Sequence, residues 1–213
     1  MSITIDMVDR CNCGNGERTT GVSRQQAVEN RSAIVAAAER LFRARGVDAV
    51  GLTELMKAAG FTQGDFYNHF KSKDALVAAV MEKAMQDRAD SPAYPLPQQV
   101  ARYLSAAHRD DVDAGCPLAG FAGDAPRLGA DARASYAGGL AAYLDRLAER
   151  MAAAHPSAHP PGRRDAIAAF SQMVGALLLS RAIADVDPAL ADAIREAGRQ
   201  ALADSSDGTA RSA

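Results

Sequence analysis

Gln63, Gly64, Asp65, Tyr67 and Asn68 place two amides, a carboxylate and a phenol within six residues. No nucleophile stands beside a base here, so the chemistry on offer is recognition. A glutamine can hold adenine through N6 and N7, and phenols and amides suit phosphate oxygens or base edges. Gly64 has no side chain, so the backbone can approach a phosphate or a thymine methyl closely. Asp65 is open to two readings. Its carboxylate can accept from cytosine N4, or it can complement a helix N-terminus while repelling phosphate.

Such groups read a groove only if a short helix presents them. Leu52, Leu55, Met56 and Ala59 recur at helical spacing and give one helix an apolar face. Gly60 follows where a helix stop takes a left-handed residue. Phe61 then packs inward, and Thr62 is a good N-cap for a second helix over 63–70. Phe66 and Phe70 share that helix's inner face. A helix, a glycine turn and a helix with polar residues in its first turn make a helix-turn-helix over 51–70. Upstream, Ile34, Ala37, Ala38, Leu41 and Phe42 form an apolar stripe ending at Gly46. Downstream, Ser72 is placed to cap another helix.

The ordered string Ala37-Ala38-x-x-Leu41-Phe42-x-x-x-Gly46, then Ala58-Ala59-Gly60-Phe61-Thr62, then Phe66-Tyr67-x-His69-Phe70-x-Ser72-Lys73-x-x-Leu76 resembles the DNA-binding domain of the tetracycline-repressor (TetR) family. The resemblance covers about 31–85. It implies an all-α protein with a three-helix helix-turn-helix domain and a larger helical domain for ligand binding and dimerisation. It also implies contacts to the DNA backbone from His69 and Lys73. The alternatives are packing of His69 beside Phe70 and a solvated Lys73. Thr53, Thr62 and Arg45 join as further candidate contacts. Asp65 departs from the family, whose residues there are usually small or hydroxyl-bearing.

Composition agrees with helices. The 213-residue chain is 48% hydrophobic but only 5% aromatic, has no Trp and carries a net charge of -2. Arg24, Arg31, Arg40, Arg43, Arg45, Lys57, Lys71 and Lys73 gather in or near the DNA-binding stretch, so local charge outweighs the total. The expected organisation is a disordered tail over 1–23, the DNA-binding domain over 24–90, an effector and dimerisation domain over 91–204, and a flexible tail over 205–213. No apolar run reaches a membrane span, the N-terminus lacks the form of a signal peptide, and three cysteines make no disulfide framework. A cytoplasmic protein with no membrane partner is expected. Cys11-Asn12-Cys13 lacks a second ligand pair, so no metal and no cofactor are expected.

In the second domain, Tyr103, Cys116, Phe121, Tyr136, Tyr143, Phe170 and Met173 are candidate effector contacts, with ordinary core as the other reading of each. Gly115-Cys116-Pro117-Leu118 and Gly175-Ala176-Leu177-Leu178-Leu179 are similar to segments in a TetR branch related to flavonoid-responsive repressors. Cys116 sits at an expected helix start, which suits either a thiol sensor or a small buried hydrophobe.

The leading expectation is a homodimeric repressor. It would hold a near-palindromic duplex and leave it when a small, largely apolar effector binds. Helices at about 164–184 and 188–203 would pair across a twofold axis. The alternatives are an enzyme or thiol sensor centred on Cys116 with His108 or His155, and an interaction adaptor with a vestigial helix-turn-helix. No acid is placed to orient either histidine.

Overall fold

The computed structural model describes residues 24–154 and 160–208. Cys11, Cys13, His155, the whole of the expected tail over 1–23 and residues 209–213 of the other lie outside them. The described residues are helical, with no strand among them. In the N-terminal domain, α1 spans Arg24–Arg45, α2 Leu52–Ala58 and a short 3-10 helix Gln63–Asn68. The long helix α3, Lys73–Asp90, leads into the second domain. There α4 is Leu96–Tyr103, α5 Ala106–Asp110, α6 Pro117–Gly120, α7 Ala130–Ala154, α8 Arg163–Ile183 and α9 Pro188–Gly208.

The apolar periodicity sets the core. Ile34, Ala38 and Phe42 of α1, Leu55 and Met56 of α2, and Phe66 and Phe70 are buried together. Both expected helix stops fall on glycines in left-handed backbone, Gly46 at φ 84° and Gly60 at φ 86°. A side chain there would meet its own backbone, so glycine is what lets the chain turn at once. Ser72 caps α3 by accepting from the Ala75 N–H at 3.1 Å. Helix α3 continues the core with Leu76, Val80, Met81 and Ala84, and packs along α7. One continuous cluster therefore links the two domains.

Two features differ from the sequence reading. The second recognition element is a 3-10 turn that closes with a longer bond from Phe70 N–H to the Phe66 carbonyl, rather than an α-helix over 63–70. The element is only six residues long, and runs this short commonly take the tighter i to i+3 bonding. Helix α9 also runs to Gly208, past the expected end near residue 203.

The expectation about membrane spans needs a correction as well. By length and composition α8 is apolar enough to cross a membrane, with a mean hydropathy of 1.6. Its apolarity has two other outlets. Phe170, Met173 and Leu177 face the bundle, against α7 and α9, while Ile167, Leu178 and Leu179 stand exposed.

Candidate nucleic-acid interface and effector cleft

The segment Gly60 to Phe70 is held from beneath. Phe66 stacks on Phe70 with ring centroids 5.7 Å apart, and both are buried. The Arg31 guanidinium lies 4.1 Å from the Phe70 ring centroid and donates to the His69 carbonyl at 3.1 Å. Helix α1 thus clamps the far end of the recognition turn. With its phenylalanines anchored, the turn presents Gln63, Gly64, Tyr67 and Asn68 to solvent, and Tyr67 is 67% exposed.

Within this surface, some side chains are already paired. Thr53 donates its hydroxyl to Gln63 Oε1 at 2.6 Å. That bond orients the glutamine and brings together two residues ten apart in sequence. Asp65 serves its own helix start. Its Oδ2 accepts the Thr62 N–H at 2.9 Å and the Thr62 hydroxyl at 2.7 Å. These bonds hold its carboxyl below the usual range. Of the two readings of Asp65, capping is the one with geometry behind it. Thr62 donates its hydroxyl to that carboxylate, and its carbonyl accepts the Asp65 N–H at 3.1 Å, so the two residues cap the turn together. His69 is half-buried, with its ring 6.3 Å from that of Phe61.

Lys73 needs a correction. It does not stand free at the surface as a phosphate-binding ammonium. Its Nζ donates to the carbonyls of Val47 and Val50, both at 2.7 Å, and lies 5.8 Å from the centroid of the Phe42 ring. The turn between α1 and α2 leaves those carbonyls without helical partners, and a cation meets that need. Arg45 is likewise engaged, in an exposed ion pair with Glu54.

The second domain holds a cleft of about 870 Å³ between α1, α3, α4 and the α5–α6 region. Tyr103 and Cys116 are on its wall. The other five expected effector contacts are not, and the reason is packing. Phe121, Tyr143, Phe170 and Met173 are core residues, and Tyr143 and Phe170 hold their rings 4.6 Å apart. Tyr136 is half-buried and donates to the Leu118 carbonyl at 2.7 Å. The cleft wall carries arginines that the sequence reading missed: Arg43 from α1, Arg88 from α3 and Arg102 from α4. Their helical positions alone gave no sign that three helices would converge there.

Around Cys116, residues distant in sequence meet. His108 accepts the Cys116 N–H through Nε2 at 3.0 Å, while its Nδ1 lies 2.6 Å from the Tyr103 carbonyl. Both bonds together require the tautomer protonated on Nδ1. Burial pushes the imidazole pKa down, which favours the neutral ring. With its free lone pair given to a backbone N–H, His108 is not available as a base toward the thiol. Arg181 of α8 donates to the carbonyls of His108 at 2.6 Å and Arg109 at 3.0 Å. A Cβ on Gly115 would come within 2.7 Å of the Asp111 carbonyl and 2.8 Å of the Arg181 guanidinium, so this loop closes only around glycine. Among the described residues no group of three or more His, Cys, Asp or Glu could hold a metal ion.

The two domains are also bonded directly. The buried Asp124 accepts the Val47 N–H at 3.3 Å and pairs with Arg127 at 2.8 Å. Arg43 of α1 pairs with Glu39 at 2.8 Å and donates to the Gly115 carbonyl.

Residues 34–80 match the sequence profile described as bacterial regulatory proteins, tetR family. The chain is 43% identical over 60 residues to the HTH-type transcriptional regulator AcrR of Shigella flexneri, a stretch that is 28% of either chain. It is 38% identical over 55 residues to the HTH-type transcriptional repressor NemR of Escherichia coli, covering 26% of this chain and 28% of that one. These matches span little more than a quarter of each relative. The fold extends further. A TetR-family transcriptional regulator from Agrobacterium tumefaciens superposes with a TM-score of 0.65 at 18% identity, over 82% of this chain and 97% of that one. In sequence the chain matches the bacterial tetR family of regulatory proteins over residues 34–80, and in fold it resembles a TetR-family regulator over 82% of its length.

Proposed function

We propose that the protein is a homodimeric DNA-binding transcription regulator of the cytoplasm, most simply a repressor, released from its operator by a small molecule. One observation carries the reading. The 63–68 surface keeps Gln63, Tyr67 and Asn68 outward on a turn whose inner residues are locked in the core. Preorganised polar groups on a narrow convex element suit a major groove. Residues 24–90 would read DNA, and 91–204 would bind the effector and the second copy. Gln63 would read a base, with Thr53 setting its amide. Thr62, Gly64, Tyr67, Asn68 and His69 would position the turn against the backbone.

Support for the homodimer comes from α8 and α9. Leu179 is 61% exposed, Val186 76% and Leu190 50%, beside Ile167 and Leu178. Large apolar side chains left exposed on two packed helices and the turn that joins them favour a second copy. Twofold symmetry then asks for a near-palindromic operator. Release requires only that the effector prefer a spacing of the reading heads that does not fit DNA.

A gel shift with the DNA upstream of its own gene, read beside sedimentation, tests this. A shifted band and twice the chain mass are expected. Monomers at micromolar concentration with no shift of any genomic fragment would overturn it.

A further inference from the structure

The cleft between α1, α3, α4 and the α5–α6 region has an uneven supply of charge. Each acid on its wall is engaged within the protein. Glu39 pairs with Arg43, Asp87 with Lys83, and Asp111 accepts the Ala114 N–H at 3.3 Å. The arginines are not matched in the same way. Arg88 lies 4.5 Å from the Tyr143 ring centroid and Arg102 4.6 Å from that of Tyr94, and neither has a carboxylate within ion-pair distance among the described residues. Among polar atoms on cleft residues, Arg43 Nε is buried with no hydrogen-bond partner, and the buried Tyr103 hydroxyl has no oxygen or nitrogen partner, only the weakly bonding Cys116 thiol beside it. Tyr103 is only 7% exposed, so water does not easily serve it. Buried donors without acceptors are rare unless a ligand supplies one. The surplus is of donors and positive charge, set among tyrosine rings.

From this we propose that the cleft binds an aromatic carboxylate, its anionic end on the Arg88 and Arg102 side and its ring against Tyr94 and Tyr103. This rests on the regulator reading above and replaces the largely apolar effector with an anionic one. Arg forks meet carboxylates in a bidentate way, and arginines already stacked on aromatic rings are preorganised to do so. The site also explains how binding would reach DNA. Arg43 belongs to α1 of the DNA-binding domain, yet it lines the cleft and holds the Gly115 carbonyl. A ligand that draws the Arg43 guanidinium away from Gly115 loosens one of the direct bonds between the domains.

Calorimetric titration of the full chain with a panel of hydroxybenzoates and hydroxycinnamates, each beside its methyl ester, tests the proposal. The acids should bind at least about tenfold more tightly than their esters. Arg102→Gln, on an exposed side chain whose loss leaves the core intact, should weaken the acids about tenfold and leave the esters unchanged. Arg102→Lys should recover part of the loss. Esters that bind as well as acids, or no acid bound at millimolar concentration, would overturn it. The gel shift without ligand is read separately. Loss of acid binding with DNA binding intact removes the anionic-effector assignment alone. A chain that binds acids but shifts no DNA removes the regulator reading instead.

Discussion

Replacing Lys73 by methionine separates two roles for its ammonium. As a phosphate contact it would act only when DNA is present. In the structure it is a brace, with Nζ on the Val47 and Val50 carbonyls at 2.7 Å each. Hydrogen bonds to charged groups contribute about 1.5–3 kcal/mol apiece. The lysine is half-buried and the turn it braces includes the exposed Asp48 and Ala49, so water recovers part of the loss. The lower end of the range applies, about 2–3 kcal/mol for the pair. Methionine keeps an unbranched stem near Phe42, so packing changes little. For a chain of this size the loss lowers the melting temperature by about 4–12 °C. The slope of DNA affinity against salt should stay the same, because each phosphate neutralised contributes about 0.9 to it and Lys73 neutralises none. Differential scanning calorimetry and a salt titration of operator binding measure both. A melting temperature within about 1 °C of the parent, with the slope shallower by about one unit per protomer, would refute the bracing role.

Gln63→Ala should cost about 1–3 kcal/mol on the preferred site and relax one base position in a randomised-operator selection. Tyr67→Ala, by contrast, should weaken all sequences alike in the same selection. Gly60→Ala forces a side chain into backbone at φ 86° and should lower stability by about 1–2 kcal/mol in urea unfolding, with the m-value unchanged. Asp65 has a depressed folded pKa because Thr62 hydrogen-bonds its carboxylate. Its stabilisation is therefore complete above the ordinary value of 3.8 and is lost as pH falls through the lower folded value. The melting-temperature gap between wild type and Asp65→Asn should be widest near neutrality and close toward pH 2; a gap that stays constant with pH would refute the carboxylate's role. Cys116→Ser should keep the ligand response within a few-fold in the gel shift, and persistence of that variant on DNA while peroxide releases the parent would favour a thiol sensor.

The N-terminal half of the fold was legible in the sequence because its determinants are local. Ile34, Ala38 and Phe42 at helical spacing, glycines at 46 and 60, and a serine cap at 72 each dictate backbone within a few residues of themselves. The outward placement of Gln63, Tyr67 and Asn68 followed from Phe66 and Phe70 turning inward. The last two helices were legible for the same reason, α8 starting within a residue of its expected place.

What periodicity does not encode is which helices meet and what their polar side chains then find. The seven expected effector residues were chosen by type; six of them are buried, and only their place beside the cleft separates Tyr103 and Cys116 from core members such as Phe121 and Met173. Arg43 counted only as one of the basic residues near the DNA-binding stretch, and nothing in the sequence set Arg88 and Arg102 apart; the cleft exists because α1, α3 and α4 converge. Lys73 read as a surface cation until the turn at Val47 to Val50 folded over it, and the two readings of Asp65 stood level until Thr62 supplied two donors. Helix periodicity depends on neighbours three and four residues away, whereas a charge takes its role from partners that only packing brings within 3 Å, such as Lys73 and Val47, 26 residues apart.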